Sequence, residues 1–244
     1  TAPTVSSLSP ADDATGVATT ANLVITFDEE VDAESGNITL YKSDDTQIQA
    51  FDVTSDISGS GGTAITLNPT SDLAEQTSYY VHIAATAFDD ASSNTYAGIT
   101  DETTWNFTTA DETAPTISSV TLASDNSTLA VTFSEAVYTT TDASSALVVG
   151  DFALSISGGT ATLSSATPSS ISISGNVYTL GISLSGTPDG SETLTVNPAS
   201  ATAIYDAAGN AAAASQSNNT ATLNDQTAPT VSSLSPADDA TGVA

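Results

Sequence analysis

Large apolar residues alternate with small polar ones along most of the chain, and helical periodicity is hard to find. Leu23, Ile25 and Phe27 interleave with Val24 and Thr26, which predicts a strand with one large apolar face. Before it, Val5 and Leu8 belong to a short strand that stops at Pro10, and residues 11–16 carry turn chemistry in Asp12, Asp13 and Gly16. Ile38 and Leu40 begin a further strand, and the turn at residues 43–46 leads into a partner over residues 47–53. A glycine loop at residues 59–62 precedes Ile65 and Leu67, and Pro69 closes that strand. Leu73, a short turn, then Tyr79, Val81 and Ile83 on one face predict a tyrosine corner, in which the Tyr79 hydroxyl bonds upstream backbone. His82 falls on the opposite face and reads as an exposed strand residue. Trp105 and Phe107 share the face of a closing strand. About seven short strands separated by turns predict an all-β sandwich.

The same grammar continues in different words. Ile117, Val120 and Leu122 open a second series, and Leu129, Val131 and Phe133 form its core strand. Phe152, Leu154 and Ile156 alternate, and Ile171 and Ile173 lead to Gly175-Asn176, a hairpin signal. Tyr178, Leu180, Ile182 and Leu184 continue the alternation, then Leu194 and Val196 form a strand ended by Pro198.

Self-similarity sets the domain organisation. The segment TAPTVSSLSPADDATGVA at residues 1–18 returns unchanged at residues 227–244, a period of 226 residues, and TAPTISSV at 113–120 is a partial echo. The predicted layout is a sandwich over 1–110, a second over 111–226, and the opening strand of a third repeat over 227–244. The chain thus reads as a window cut from a longer array. Pro3, Pro115 and Pro229 restrict the linkers and favour limited bending.

Charge narrows the partners. The formal net charge is −28, and Lys42 is the one basic side chain besides the single His82. Such a surface repels nucleic acid and anionic lipid and attracts cations. Charged residues make up only 12% of the chain, so the coat is mainly Ser and Thr and is no polyacidic tail. Absence of cysteine removes disulfides, thiolate zinc sites and thiol nucleophiles. No apolar run is long enough to span a membrane, and no leader is evident. The Ser/Thr/Asp/Gly-rich composition points outside the cell. Asn-x-Thr sequons at Asn37, Asn106, Asn126 and Asn218 are expected by chance in so Thr-rich a chain. No convergent acid, base and nucleophile set suggests catalysis.

VSSLSPADDATGV, LVITFDEEVD, LAEQTSYYVHI and TWNFTT together resemble the bacterial Ig-like domain of S-layer proteins, large adhesins and secreted multi-domain enzymes. Phe27-Asp28-Glu29-Glu30-Val31 stands where the family has Phe-Ser-Glu-Pro-Val. Residues 88–94 keep the Asp and Asn of the family's Asp-x-x-Gly-Asn loop but lose the Gly, whereas Asp206-Ala207-Ala208-Gly209-Asn210 has it in full. The second series resembles the Ig-like repeats of large bacterial surface and motility proteins. The fold class is therefore all-β: two tandem Ig-like antiparallel β-sandwiches plus the first strand of a third repeat.

In such a sandwich the loop after the second strand and the loop before the last strand share one end, where the chain also enters. For the second module this directs Asp111, Glu112, Glu135, Asp206 and Asn210 towards one junction. Asp28, Glu29 and Asp89 are the equivalents in the first module, and Asp225 serves the third. Hard divalent cations take oxygens from such groups, so calcium is the expected cofactor; in related adhesin repeats, the resemblance implies, calcium stiffens such junctions. The alternative is a solvated acidic coat. The functional expectation is a structural extender or stalk module of a giant repetitive extracellular protein at the bacterial cell surface, an adhesin or surface fibre, with neighbouring repeats and other copies in a fibre as partners. Two alternatives remain: a polysaccharide- or partner-binding module using exposed Tyr41, Tyr80 and Tyr96, or an accessory domain of a secreted hydrolase.

Overall fold

Strand alternation becomes burial in the computed structural model, which describes residues 1–235, 238, 239 and 241. In the first unit, Thr1–Glu112, the strands are β1 (Val5–Ser9), β2 (Ala14–Val17), β3 (Leu23–Ala33), β4 (Asn37–Lys42), β5 (Gln47–Asp52), β6 (Ile57–Ser58), β7 (Gly62–Leu67), β8 (Ser78–Ile83), β9 (Phe88–Asp89) and β10 (Asn106–Thr109). One sheet runs β1-β3-β7-β6 with β9 added to β3, and the other runs β2-β10-β8-β4-β5. Leu23, Ile25 and Phe27 of β3 face inward with Ile65 and Leu67 of β7, and Ile38, Leu40, Tyr79, Val81 and Phe107 come from the other sheet. Period 2 puts alternate side chains of each strand into one core. Trp105 lies just ahead of β10, fully buried, and its indole Nε1 donates to the Pro10 carbonyl at 2.9 Å.

The Tyr79 hydroxyl accepts a hydrogen bond from the Ala74 amide at 2.8 Å, closing the turn that precedes β8. Tyr79→Phe is expected to cost the first unit about 1 kcal/mol, because the Ala74 amide then lacks its partner; urea unfolding of the variant, read at Trp105, measures it.

Three expectations for this unit are corrected. Tyr80 and Tyr96 are buried, at 5% and 7% exposure. Tyr96 sits edge-on to Phe27 at 5.1 Å, and Tyr80 stacks on half-buried Tyr41 at 5.1 Å while its hydroxyl donates to Asp45. That environment pushes the Tyr80 phenol up to about 12, through burial first and the Asp45 carboxylate second. His82 is half-buried beside both Tyr41 and Tyr80, and its Nε2 is buried without a hydrogen-bond partner. Alternation assigns these residues to a face; it does not say that neighbouring rings cover that face.

The second unit, from Thr113 onward, contains β11 (Ile117–Leu122), β12 (Thr128–Phe133), a 3-10 turn at Val149–Asp151, β13 (Phe152–Ser157), β14 (Thr162–Leu163), β15 (Ile171–Ser174), β16 (Val177–Gly181), β17 (Leu184–Ser185), β18 (Thr193–Pro198) and β19 (Thr220–Thr222). Its sheets run β11-β12-β16-β15 and β13-β18-β19, with a small β14-β17 pair. Leu129, Val131, Phe133, Phe152, Leu154, Tyr178, Leu180, Leu194, Val196 and Ile204 form the core. Gly175 and Asn176 make the predicted two-residue hairpin, with Gly175 at φ 57°. The alternation expected through Leu184 stops at Gly181, where Leu184 leaves to pair with β14. The two units are thus tandem Ig-like antiparallel β-sandwiches.

Residues 227–235 form no strand, although they repeat residues 1–9. Val5 and Leu8 of the first copy pack on the core, whereas Val231 and Leu234 are 76% and 60% exposed. Residues 227–244 are expected to open a third repeat, whose further strands are not part of this sequence; residues 236, 237, 240 and 242–244 lie outside the described residues.

Candidate metal centre

Two loops of the second unit meet because a pair of tyrosines ties them. Past the end of β12 the chain runs through Ser134 and Glu135 to Tyr138, and Tyr138 exchanges backbone hydrogen bonds with Tyr205 at 2.7 and 2.8 Å. Asp206 follows Tyr205 directly. The result places carboxylate oxygens of Glu135 and Asp206 within 4.8 Å of one another.

Asp206 is fully buried and organises its own loop. Its Oδ1 accepts the amides of Ala208 and Asn210 at 2.9 and 2.8 Å, and its Oδ2 accepts Asn210 Nδ2 at 2.8 Å. Gly209, at φ 91°, lets the loop close in the left-handed region. These bonds fix the carboxylate's direction and leave lone-pair capacity on its oxygens. The donor set is oxygen only, which suits a hard cation such as calcium or magnesium. Half-buried Asp111 lies two residues before Thr113, on the segment that leads into this unit.

The first unit builds the same loop on Asp90. Its Oδ1 accepts the amides of Ser92 and Asn94 at 2.8 Å each, and its Oδ2 accepts Asn94 Nδ2 at 2.7 Å. Hydrogen bonds from Asn94, foremost, hold its carboxyl below the usual range. Ser93, at φ 62°, takes the left-handed position that Gly209 takes in the second unit, so the missing glycine does not abolish the loop. Asp90 is thus the counterpart of Asp206, and sequence reasoning missed it by choosing Asp89. The spacing from Asp90 to Asn94 matches that from Asp206 to Asn210 and marks the right residue. Asp89 sits on β9, paired with Asp32 of β3.

The other expected ligands have different places. Asp28 grips the incoming chain: the Thr4 amide and hydroxyl donate to its two oxygens at 2.7 and 2.8 Å, which lowers its pKa. Glu29 is half-buried on β3, and no cluster of three acidic side chains gathers at Asp28, Glu29 or Asp89 among the described residues. Glu112 accepts the Thr19 hydroxyl at 2.7 Å and the Thr19 amide at 3.3 Å, fastening the end of the first unit to its own body. Asn210 braces Asp206, and Asp225 accepts the Thr227 amide at 2.7 Å.

The family model of the bacterial Ig-like domain matches residues 1–109. The first unit is a bacterial Ig-like domain. Among solved structures, the chain resembles the S-layer protein rSbsC(31-844) at 15% identity and a TM-score of 0.31, over 81% of this chain and 23% of that one. The N-terminal part of the S-layer protein SbsC gives 14% identity and a TM-score of 0.33, over 92% and 45%. The BSP domain of a biofilm associated protein gives 13% and 0.23, over 93% and 30%. The chain therefore spans less than half the length of either S-layer chain. No curated protein matches the chain.

Proposed function

We propose that this chain is an extender segment of a repetitive extracellular protein of the bacterial surface, stiffened by calcium where the second Ig-like unit is entered. The observation that carries the reading is the approach of Glu135 to buried Asp206, whose direction is fixed by three hydrogen bonds. The Glu135 and Asp206 carboxylates repel one another at this distance, and a divalent cation turns that repulsion into attraction. The acidic coat and the proline-restricted linkers suit a long array whose modules stay apart. The family match of the first unit supports a structural module over a catalytic one.

Small-angle scattering in EDTA and in millimolar calcium tests the mechanical part. Calcium is expected to give a longer, stiffer particle, with no change for the Glu135→Gln chain. Superimposable curves for the wild type in both buffers would leave the acids as a solvated coat.

A further inference from the structure

We propose that the open edge of β15 is a self-pairing surface, on which β15 of a second copy of this chain adds antiparallel about a two-fold axis at Ser172. β15 ends the order β11-β12-β16-β15 and pairs with β16 alone, and its Ser172, Ile173 and Ser174 are exposed. The chain has 29 acidic residues, yet residues 152–188 carry no Asp, Glu, Lys, Arg or His, and neither does any strand of this sheet. Charge ordinarily keeps edge strands apart. In the first unit the edge strand β5 exposes Ile48 but carries Asp52, and Asp56 follows it. β15 has no such guard. Two acidic copies repel over much of their surfaces, and this uncharged edge is where they can approach.

The sequence of the edge selects its occupant. Ser170-Ile171-Ser172-Ile173-Ser174 reads the same in both directions, so an antiparallel copy centred on Ser172 sets serine against serine and isoleucine against isoleucine. Backbone direction agrees with this register. The Gly181 amide donates to the Ser170 carbonyl, and antiparallel ladders alternate, so Ser170, Ser172 and Ser174 turn their backbone groups to β16. Ile171 and Ile173 turn theirs outward. In the two-fold pairing Ile171 exchanges both backbone hydrogen bonds with the copy's Ile173, and Ile173 does so with the copy's Ile171. Both isoleucines stand opposite core residues, Leu180 and Tyr178, so their side chains extend the core face. Ile173, 44% exposed, gains the copy's Ile171 as cover. The contact is small against a stable interface and is therefore weak and reversible. In an array the edge recurs and weak contacts add. That addition rests on the extender reading; the pairing itself does not, and it needs no calcium.

The chain has no cysteine, which makes trapping clean. Ser172→Cys and Ser174→Cys chains are compared under mild oxidation in EDTA, with the dimer read on non-reducing gels. Both positions are exposed on one strand, but position 172 alone faces itself across the axis, at a Cα separation of about 4.5 Å that a disulfide spans. Position 174 faces position 170. The Ser172→Cys dimer is expected to exceed the Ser174→Cys dimer several-fold, and to rise with protein concentration and with salt, which screens the acidic copies. Mixed Ser170→Cys and Ser174→Cys chains are expected to give the heterodimer in preference to either homodimer. Ile173→Pro removes one outward N–H and no bond to β16, so it is expected to keep the second unit's midpoint and to lower the Ser172→Cys yield to the Ser174→Cys level. Equal yields from Ser172→Cys and Ser174→Cys, or a Ser172→Cys yield unchanged by Ile173→Pro, would overturn the self-pairing. Because the oxidation is done in EDTA, failure of the calcium site does not alter either result.

Discussion

Trp105→Ala is expected to lower the first unit's unfolding midpoint sharply and to leave that of the second in place. Trp105 is fully buried among Leu23, Val81 and the other core residues of its unit, and its indole N–H satisfies the Pro10 carbonyl. Truncation removes the largest side chain of the core and orphans that carbonyl, at a cost of about 3–5 kcal/mol. A domain of this size has a total stability of about 5–15 kcal/mol. The corresponding fall in the first unit's midpoint is about 15 °C or more. The second unit has a separate core built on Phe133, Phe152 and Tyr178. Calorimetry in EDTA should therefore show one transition displaced and one in place. A single transition moving as a whole would mean that the two cores unfold together.

The second large effect is expected at Glu192. Its side chain is fully buried, and its carboxylate accepts the amides of Thr160 at 3.0 Å, Ala161 at 2.9 Å, Asp189 at 3.2 Å and Gly190 at 3.2 Å. One carboxylate thus holds two loops that have no other regular structure. Glu192→Ala leaves those amides without their acceptor, and the second unit's midpoint is expected to fall by about 10 °C or more. The Ala161 amide is the foremost cause that lowers the Glu192 pKa from 4.5 to about 2. A group whose folded pKa is depressed contributes stability that is complete above its unfolded value and is lost as pH falls through the folded one. The wild-type second unit should therefore lose this contribution as the pH drops from 4.5 towards 2, and Glu192→Gln should lose less over that interval. Parallel pH profiles for the two chains would show that the carboxylate charge is not what holds the loops.

Much of this fold is legible in the residues because burial follows alternation. Leu23, Ile25 and Phe27, or Leu129, Val131 and Phe133, can point the same way only in an extended chain, and each set lies in a core. Tyr79 is legible because a leucine, a turn and a strand-opening tyrosine form a local geometry. Glu192 is not. Nothing in its neighbourhood says that its carboxylate turns inward to meet amides from residues 160 and 161. Tyr96 is hidden for a related reason: it comes from an irregular stretch whose direction is set by Phe27, far away in sequence.

The candidate site divides in the same way. Glu135 and Asp206 come together as the fold grammar suggests, because the Tyr138–Tyr205 bridge fixes one loop against the other. Asp28 and Glu112 belong to the same acidic vocabulary, yet their oxygens are engaged by Thr4 and Thr19. Sequence spacing identifies acids near a junction; which of them face a cation depends on hydroxyl and amide partners that the spacing does not record.

Calcium binding at Glu135 and Asp206 is tested most directly by calorimetric unfolding of the wild-type and Glu135→Gln chains in EDTA and in millimolar calcium. At calcium about 100-fold above its dissociation constant, binding to the folded state alone adds about 2.7 kcal/mol. Calcium is expected to raise the second unit's midpoint by about 10 °C in the wild type and to leave the Glu135→Gln chain where it was. A wild-type midpoint that is the same in EDTA and calcium would contradict it.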